Sequence, residues 1–246
     1  MNKGGRFIIS LDFELFWGVS DSKKISDYDQ NLLNSNMVVE NLLKLFEKFN
    51  IEATWAIVGF LYFRSLSNLK DFLSKNFVKI PLYENQKLNN YLLIEKFVDS
   101  KIDSSLLFSN KILKKIISTK GQELASHTFS HMYTLENGIN DLDFEQEMIL
   151  MKKIFKKLDV ELKSIVFPRN QYNTSCINIC EKHELLAFRG NQENYIYKPS
   201  TNQSNIKRLI RLIDSYINIS GFNSFTVDKQ KTIKDIKASR FLRPYN

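Results

Sequence analysis

The order of apolar segments along the first sixty residues constrains the fold most. Residues 6–12 (RFIISLD) form a run of β-branched and aromatic side chains after two glycines, which predicts a buried strand. Residues 29–49 then place apolar side chains on one face, at the roughly 3.6-residue period of an amphipathic helix. Residues 53–58 (ATWAIV) return to a strand pattern that stops at Gly59. A strand–helix–strand unit of this kind predicts two parallel strands joined by a right-handed crossover.

The same alternation resumes in the second half of the chain. Residues 121–126 and 163–167 have the pattern of short strands, and residues 141–158 between them have the pattern of a helix. A further helix is predicted from about Thr174, followed by a strand at residues 185–190 (LLAFRG). Repeated βα units predict an α/β domain with a parallel sheet, in which ligands bind at the carboxyl ends of the strands.

Two regions interrupt this alternation. Residues 60–120 separate two predicted strands by far more than a usual crossover, and they contain helical segments, the clearest at 104–118. We interpret residues 60–120 as an inserted helical cap over one face of the domain. An independent second domain is disfavoured because residues 79–90 have little apolar content. From about residue 220 the pattern predicts no definite element, and the expected organisation is a single domain over residues 1–246.

The composition favours a soluble, well-packed protein. Hydrophobic residues make up 43% of the chain, enough for a sizeable core, yet no apolar run reaches the roughly 18–20 residues of a membrane span. The N-terminus lacks the apolar stretch of a secretory signal, so the expected location is the cytoplasm. The net charge is +8, and residues 200–246 hold nine Lys/Arg against three Asp. Because these charges are scattered without interleaved aromatic residues, we expect no nucleic-acid binding and favour an anionic glycan or lipid-linked sugar.

The only two cysteines, Cys176 and Cys180, lie four residues apart in a predicted helix that also contains His183. Such a set can bind a soft metal, but the apolar residues around the two thiols favour burial in the core. Two cysteines in a cytoplasmic context exclude a disulfide framework.

Acidic side chains and histidines follow two of the predicted strands. In SLDFELFWG (10–18), Asp12 and Glu14 come at the end of the first strand, and residues two apart on a strand face the same side. In ASHTFSH (125–131), His127 and His131 are four residues apart after another strand, so one helical turn or tight loop can aim both imidazoles at one ion. Either pair alone has a plain alternative, as solvated loop carboxylates or as surface or core histidines. Two imidazoles and one carboxylate together leave one ligand position open, as in catalytic zinc sites.

A third polar segment, FPRNQYN (167–173), follows the predicted strand at 163–167. Its Arg169 is either a surface cation, as an arginine beside proline in a loop usually is, or the partner of a site carboxylate. The second interpretation follows from the position of Arg169 at the carboxyl end of a strand, where the guanidinium can keep a carboxylate ionised.

These segments together resemble the polysaccharide-deacetylase family, which is also called the NodB-homology family. SLDFE is similar to the first motif of that family, in the variant with one residue between the two acids, and ATWAIVG resembles its second strand. GQELASHTFSH is similar to its histidine motif almost residue for residue, and Arg169 and Tyr172 have its Arg-x-x-Tyr spacing. AFRGN (187–191) resembles a later strand of the family's sugar-biosynthesis branch, so the resemblance runs from residue 6 to about residue 191.

The resemblance implies a distorted, incomplete (β/α) barrel that removes an N-acetyl group from a sugar in envelope-polysaccharide biosynthesis. By the same resemblance a divalent metal, zinc first and cobalt or nickel as alternatives, is bound by three residues: Glu14, His127 and His131. Asp12 would act as the general base, and Arg169 would orient it. The backbone N–H of Tyr172 would help to hold the oxyanion.

The chain departs from the family pattern near its end. A Leu-His motif there usually supplies the histidine that protonates the leaving amine, whereas no histidine follows His183 in this chain. His183 itself lies in the predicted helix before the strand at 185–190. Three alternatives stand: a truncated chain, an acid supplied by another group, or an impaired site. The competing functions are a hydrolase of another C–N or ester bond, a catalytically silent sugar-binding protein, and a basic nucleic-acid-binding protein.

Overall fold

Six parallel strands form one curled sheet in the computed structural model, which describes residues 4–98, 100–192, 196, 205–221 and 223–239. The strands are β1 (Ser10–Phe13), β2 (Ala53–Ile57), β3 (Gln122–Ser126), β4 (Ser164–Ile165), β5 (Ala187–Gly190) and β6 (Lys234–Lys237). They lie in the order β1-β2-β3-β4-β5-β6, so each strand pairs with its neighbours in sequence. The fold is an α/β incomplete barrel, which confirms the predicted class.

Helices cover the sheet and connect its strands. They are α1 (Asp29–Phe49), α2 (Leu66–Lys75), α3 (Asn90–Val98), α4 (Asn110–Ser118), α5 (Asp141–Lys157), α6 (Thr174–Lys182) and α7 (Asn205–Tyr216). Short 3-10 turns occupy Leu15–Gly18, Ile25–Asp27, Gly59–Tyr62, Gln86–Leu88, Ser104–Leu106 and Pro168–Asn170. Across the described ranges no helix combines the length and the apolar character that crossing a membrane requires.

The two long helices α1 and α5 form where the periodicity predicts them. The apolar face of α1 buries Val39, Leu43 and Phe46, and the helix ends at Asn50 in the left-handed conformation that commonly stops a helix. α5 begins with a capping box, in which the Asn140 and Asp143 side chains each accept a hydrogen bond from the other residue's backbone N–H. Both helices pack their apolar faces into the same core as the sheet.

The ends of the sheet differ from the sequence prediction. The prediction of a buried strand over 6–12 is wrong in its first half, since β1 begins only at Ser10 and Phe7 is 85% exposed. β1 is an edge strand that pairs with β2, and of the residues before it Ile9 still packs against the core whereas Phe7 does not. β4 has only two residues. β6 (KDIK) was not predicted, because it is half-buried throughout and three of its four residues are charged.

The segment 60–120 packs as part of the main core. Buried side chains of its helices, including Leu69, Tyr91 and Leu113, belong to the same apolar cluster as the strand residue Trp55. α4 takes the usual crossover position between β2 and β3, so the additional material is chiefly α2, α3 and their connections. α3 brings polar side chains close to the carboxyl ends of β1 and β3, as described below.

Candidate metal centre

The loop after β1 places Glu14 by burying the residues that follow it. Trp17 is fully buried, and its indole N–H donates a 2.7 Å hydrogen bond to the Leu107 carbonyl. The Glu14 side chain folds back against Gly18, where an added Cβ would lie only 1.9 Å from the Glu14 Cδ. Gly18 therefore provides the space that the Glu14 side chain occupies, a requirement that the sequence signals only by a glycine four residues after the acid.

The loop after β3 carries the two histidines. The His127 N–H donates to the Ile57 carbonyl at 2.8 Å, which continues the pairing with β2 beyond the strand. The His127 Nδ1 lies 2.8 Å from the Val166 carbonyl, so this nitrogen carries a proton and Nε2 is the nitrogen that faces Glu14. Both imidazoles are buried, with 3% side-chain exposure. The contact with Val166 orients the His127 ring, whereas the buried Nδ1 of His131 has no hydrogen-bond partner among the described residues.

Glu14, His127 and His131 converge, as the sequence predicts for metal ligands. The Glu14 Oε2 lies 3.2 Å from the His127 Nε2 and 2.9 Å from the His131 Nε2. One ligand atom from each residue lies within 4.8 Å of the others. Two imidazole nitrogens and a carboxylate oxygen are donors that zinc accepts, and they leave further positions open. The three residues therefore fit a divalent metal ion.

The charges of these three groups depend on one another. Burial opposes ionisation of Glu14, but hydrogen bonds from both imidazoles outweigh it and lower the pKa of this carboxyl. Burial also opposes the charge on His127, yet the neighbouring Asp12 and Glu14 carboxylates raise the pKa of His127 above its usual value. The pKa of His131 is lowered, chiefly by burial. The centre holds one firmly ionised carboxylate between two imidazoles that differ in proton affinity.

Asp12 is clamped by an arginine that the sequence prediction did not choose. Arg189, on β5, binds Asp12 through two parallel hydrogen bonds, Nη1 to Oδ1 at 2.7 Å and Nη2 to Oδ2 at 2.8 Å. Its side chain spans the inner face of the sheet from β5 to β1. Ala56 and Ala125, which pair in register with Asp12 across β1 to β3, are small enough to leave space for it. Arg189 lies within AFRGN, but only the folded sheet shows its partner.

The expected pairing of Arg169 with Asp12 is not what the structure shows. Arg169 forms an ion pair with Asp21, and its guanidinium lies 4.1 Å from the ring centroid of Tyr133. The Tyr133 ring in turn packs edge-on against His131, with centroids 5.1 Å apart. Arg169 thus lies at the rim of the metal centre, while the position beside the predicted base belongs to Arg189.

Side-chain contacts fix the position of Tyr172 in the loop after β4. Its hydroxyl accepts a 3.0 Å hydrogen bond from the Asn191 backbone N–H, and its ring packs against Phe167 and Phe188. These contacts fix the backbone of the loop after β4. The assignment of the Tyr172 N–H to the oxyanion stays a prediction.

Backbone strain is concentrated in the three loops of the centre. Nine non-glycine residues of the described ranges have positive φ, and four of them follow helix ends, where this conformation is usual. The other five lie in the site loops: Leu15, Thr128, His131, Arg169 and Asn170. Strained backbone of this kind clusters at functional sites because the surrounding structure must hold it in place.

The cysteines and His183 lie outside this centre. Cys176 and Cys180 are free and buried on α6, which confirms their predicted place in the core. His183 follows the end of α6 and lines a cavity of about 480 Å³ with Leu162 and Glu184, the residues shortly before β4 and β5. That position is at the amino ends of the strands, opposite the predicted site.

Comparison with known proteins finds only distant structural similarity. No sequence-family profile matches the chain, and no curated protein matches it. A CE4 family pseudoenzyme from Bacillus anthracis is 10% identical with a TM-score of 0.41, over 74% of this chain and 42% of the other. A de-N-acetylase from Aggregatibacter actinomycetemcomitans is 10% identical with a TM-score of 0.44, over 79% and 90%.

A 4-alpha-glucanotransferase from Thermococcus litoralis is similar to the same degree. It is 10% identical with a TM-score of 0.42, over 77% of this chain and 22% of the other. This chain therefore spans less than half the length of the pseudoenzyme and of the glucanotransferase. The function is therefore argued from the side chains.

Proposed function

We propose that this chain is a metal-dependent hydrolase that removes an N-acetyl group from a sugar. One observation carries the proposal: the Glu14 carboxylate lies 3.2 and 2.9 Å from the Nε2 atoms of two buried histidines. Asp12, two residues before Glu14, is held in a separate bidentate ion pair beside them. A ligand set with an adjacent, independently oriented carboxylate is the arrangement that metal-assisted hydrolysis requires.

Each group has a distinct role in the proposed reaction. Glu14, His127 and His131 would hold a divalent metal, which would supply a Lewis acid. Asp12 accepts the proton of the water that attacks the acetamide carbonyl carbon. The C–N bond then breaks, the proton taken up by Asp12 passes to the leaving nitrogen, and acetate and a free amine on the sugar are the products. The backbone N–H of Tyr172 donates to the oxyanion that forms during the attack.

Arg189 takes the orienting role in this proposal. Two parallel hydrogen bonds to both Asp12 oxygens fix the plane of the carboxylate. Arg189 thereby holds Asp12 in the orientation in which it would accept the proton of the attacking water. Arg169, half-exposed at the rim over Tyr133, is placed to contact the substrate rather than the base.

The substrate we propose is an N-acetylated sugar precursor of an envelope polysaccharide, nucleotide- or lipid-linked and handled in the cytoplasm. The support is the positive net charge of +8, which attracts a phosphate-bearing sugar over a neutral one. The metal we propose is zinc, on the basis of the nitrogen-rich ligand set.

The test is acetate release from defined substrates. The protein is loaded with zinc or cobalt and incubated with nucleotide-linked N-acetylhexosamines, chitooligosaccharides, acetyl esters and cyclic amides. Release of acetate from an N-acetyl sugar, abolished by a chelator and restored by zinc, supports the proposal. Turnover of only the esters or cyclic amides would identify a different hydrolase. Zinc and sugar binding without any turnover would identify a silent binding protein and overturn the proposed activity.

A further inference from the structure

One buried amide links the two loops that carry the metal ligands. The Asn90 Nδ2, at the start of α3, donates 2.9 Å hydrogen bonds to both the Trp17 carbonyl and the Ser130 carbonyl. Its Oδ1 accepts a 2.6 Å hydrogen bond from the Ser20 hydroxyl. Trp17 follows Glu14 by three residues, and Ser130 immediately precedes His131. Asn90 thus fixes the distance between the carboxylate loop and the histidine loop.

A buried carboxylate holds the histidine loop from the other side. Glu147, on α5, is completely buried, and its Oε2 accepts the Ser130 backbone N–H at 2.7 Å. Its Oε1 accepts the Ser130 hydroxyl at 2.9 Å and the Tyr91 hydroxyl at 2.5 Å. With the bond from Asn90, every polar group of Ser130 has a partner. Ser130 is therefore the fixed point of the loop between the two histidines.

Placing an acid at this position is costly for the fold. Burial raises the pKa of Glu147, and its direct partners are neutral hydroxyl and amide groups. An apolar residue of similar size would fill the space without the desolvation cost. Glu147 instead holds a loop in which Thr128 and His131 both have positive φ. Such a backbone persists only where its surroundings over-determine it.

We infer that Asn90, Tyr91 and Glu147 form a loop brace whose function is to position the metal ligands. The brace acts through Ser130 and Trp17, so its three members are positioning residues without contact to the substrate. Asn90 and Tyr91 belong to α3, which is part of the segment 60–120. This part of the segment therefore supports the loops that carry the metal centre. The inference rests on the proposed function only in assuming that the positioned side chains bind a metal.

The first test compares two isosteric variants of buried acids on the same helix. Glu147→Gln keeps the shape but removes the charge and turns Oε1 into a donor, so the Ser130 and Tyr91 hydroxyls can no longer donate to it and must reverse their hydrogen bonds. Asp143→Asn, one turn earlier on α5, weakens only the helix cap. We expect Glu147→Gln to weaken zinc binding at least about tenfold in a chelator competition, as outer-sphere changes do, and to alter the cobalt absorption spectrum. Asp143→Asn should leave zinc affinity unchanged.

A second variant and a metal-free measurement keep the test decisive. Tyr91→Phe removes one hydrogen bond to Glu147 and should weaken zinc binding about threefold, so it carries the test if Glu147→Gln does not fold. The chain has three histidines, which gives few imidazole signals in a ¹⁵N spectrum. In the metal-free protein, Glu147→Gln or Tyr91→Phe should shift the His127 and His131 signals, while His183 serves as the internal control.

The outcomes separate the brace from the proposed function. Wild-type protein that binds no zinc overturns the metal-dependent function, and the brace is then judged by the metal-free histidine signals. Wild-type zinc affinity in folded Glu147→Gln and Tyr91→Phe, with unshifted His127 and His131 signals, overturns the brace. If Glu147→Gln lost only as much thermal stability as Asp143→Asn and left zinc affinity and the histidine signals unchanged, Glu147 would be a core residue without a positioning role.

Discussion

The site has two halves that are built differently. In the metal half, formed by Glu14, His127 and His131, both imidazoles are 3% exposed and Glu14 is 28% exposed. In the base half, formed by Asp12 and Arg189 with Arg169 at its rim, Asp12 is 33%, Arg189 14% and Arg169 44% exposed. A hydrogen bond to the Val166 carbonyl orients His127 in the metal half, whereas contacts between charged side chains hold the base half.

This difference predicts that the two halves tolerate change differently. In the metal half, each ligand lies one or a few residues beyond a strand, so the backbone alone brings the side chains together. In the base half, an arginine reaches its partner through several rotatable bonds, so the same loops permit more than one pairing. We expect substitutions in the metal half to abolish metal binding, and those in the base half to change catalysis with the metal in place.

The largest effect is expected from His131→Ala. Loss of one of three ligands should remove bound zinc and lower deacetylation more than about a thousandfold, the same as treatment with a chelator. Zinc content by elemental analysis and acetate release measure the two effects. His183→Ala is the matched control, because His183 lies at the opposite ends of the strands. Retention of stoichiometric zinc by His131→Ala would contradict the assigned ligand set.

A large effect on rate alone is expected from Asp12→Asn. The amide has the shape of the carboxylate but cannot accept the proton, so kcat should fall about 10²- to 10⁴-fold. Zinc content should stay at the wild-type level, because Asp12 is outside the ligand set. Loss of zinc from Asp12→Asn would show that the two halves are not independent.

An intermediate effect on the reaction rate is expected from Arg189→Gln, and it should distinguish Arg189 from Arg169. Arg189→Gln removes the bidentate clamp on Asp12, so kcat should fall about a hundredfold with KM little changed. Arg169→Gln removes a rim contact and should raise KM by less than about tenfold. Steady-state kinetics on the same N-acetyl sugar distinguish these results. The reverse pattern, with kcat lost in Arg169→Gln, would restore the sequence prediction for the base half.

The sequence predicted that Glu14, His127 and His131 lie at one edge of the sheet because each follows a strand closely and parallel strands bring their carboxyl ends to one edge. The pairing of Glu14 with the distant histidines also drew on the family resemblance, and their role as metal ligands stays a prediction. α1 and α5 were predictable from local sequence, since each carries its own apolar face.

The base half and the loop brace were not predictable because they depend on contacts between distant residues. Arg189 and Asp12 are 177 residues apart, and Tyr91 and Glu147 are 56 apart. No local pattern indicates that a buried glutamate on α5 binds Ser130, since Glu147 interrupts the apolar face like any polar residue. The role of Gly18 was not predictable either, because it depends on how the Glu14 side chain folds back.

A smaller effect is expected from Gly18→Ala, which tests how tightly the metal half is packed. The added Cβ would lie 1.9 Å from the Glu14 Cδ, so the carboxylate must move away from the histidines. Zinc affinity should fall about tenfold, the scale of other changes that displace a ligand without removing it. Gly5→Ala is the matched control, since a Cβ there meets nothing within 4 Å. Equal zinc affinities for the two variants would show that Glu14 has room to adjust.

The smallest effect is the pH dependence of stability in the metal-free protein. The Asp12 and Glu14 carboxylates outweigh burial and raise the pKa of His127 above its usual value of 6.5. A raised folded pKa means that the protonated imidazole stabilises the fold, fully below about pH 6.5 and progressively less as pH rises through the folded pKa. The free energy of unfolding of wild type relative to His127→Gln should therefore be larger at pH 5.5 than at pH 9.

Urea unfolding of both proteins in the presence of a chelator measures this difference. His183→Gln serves as the control, and its pKa is lowered, chiefly by burial, so its pH trend should run the opposite way. If the advantage of wild type over His127→Gln grew with pH instead, burial would outweigh the two carboxylates at His127.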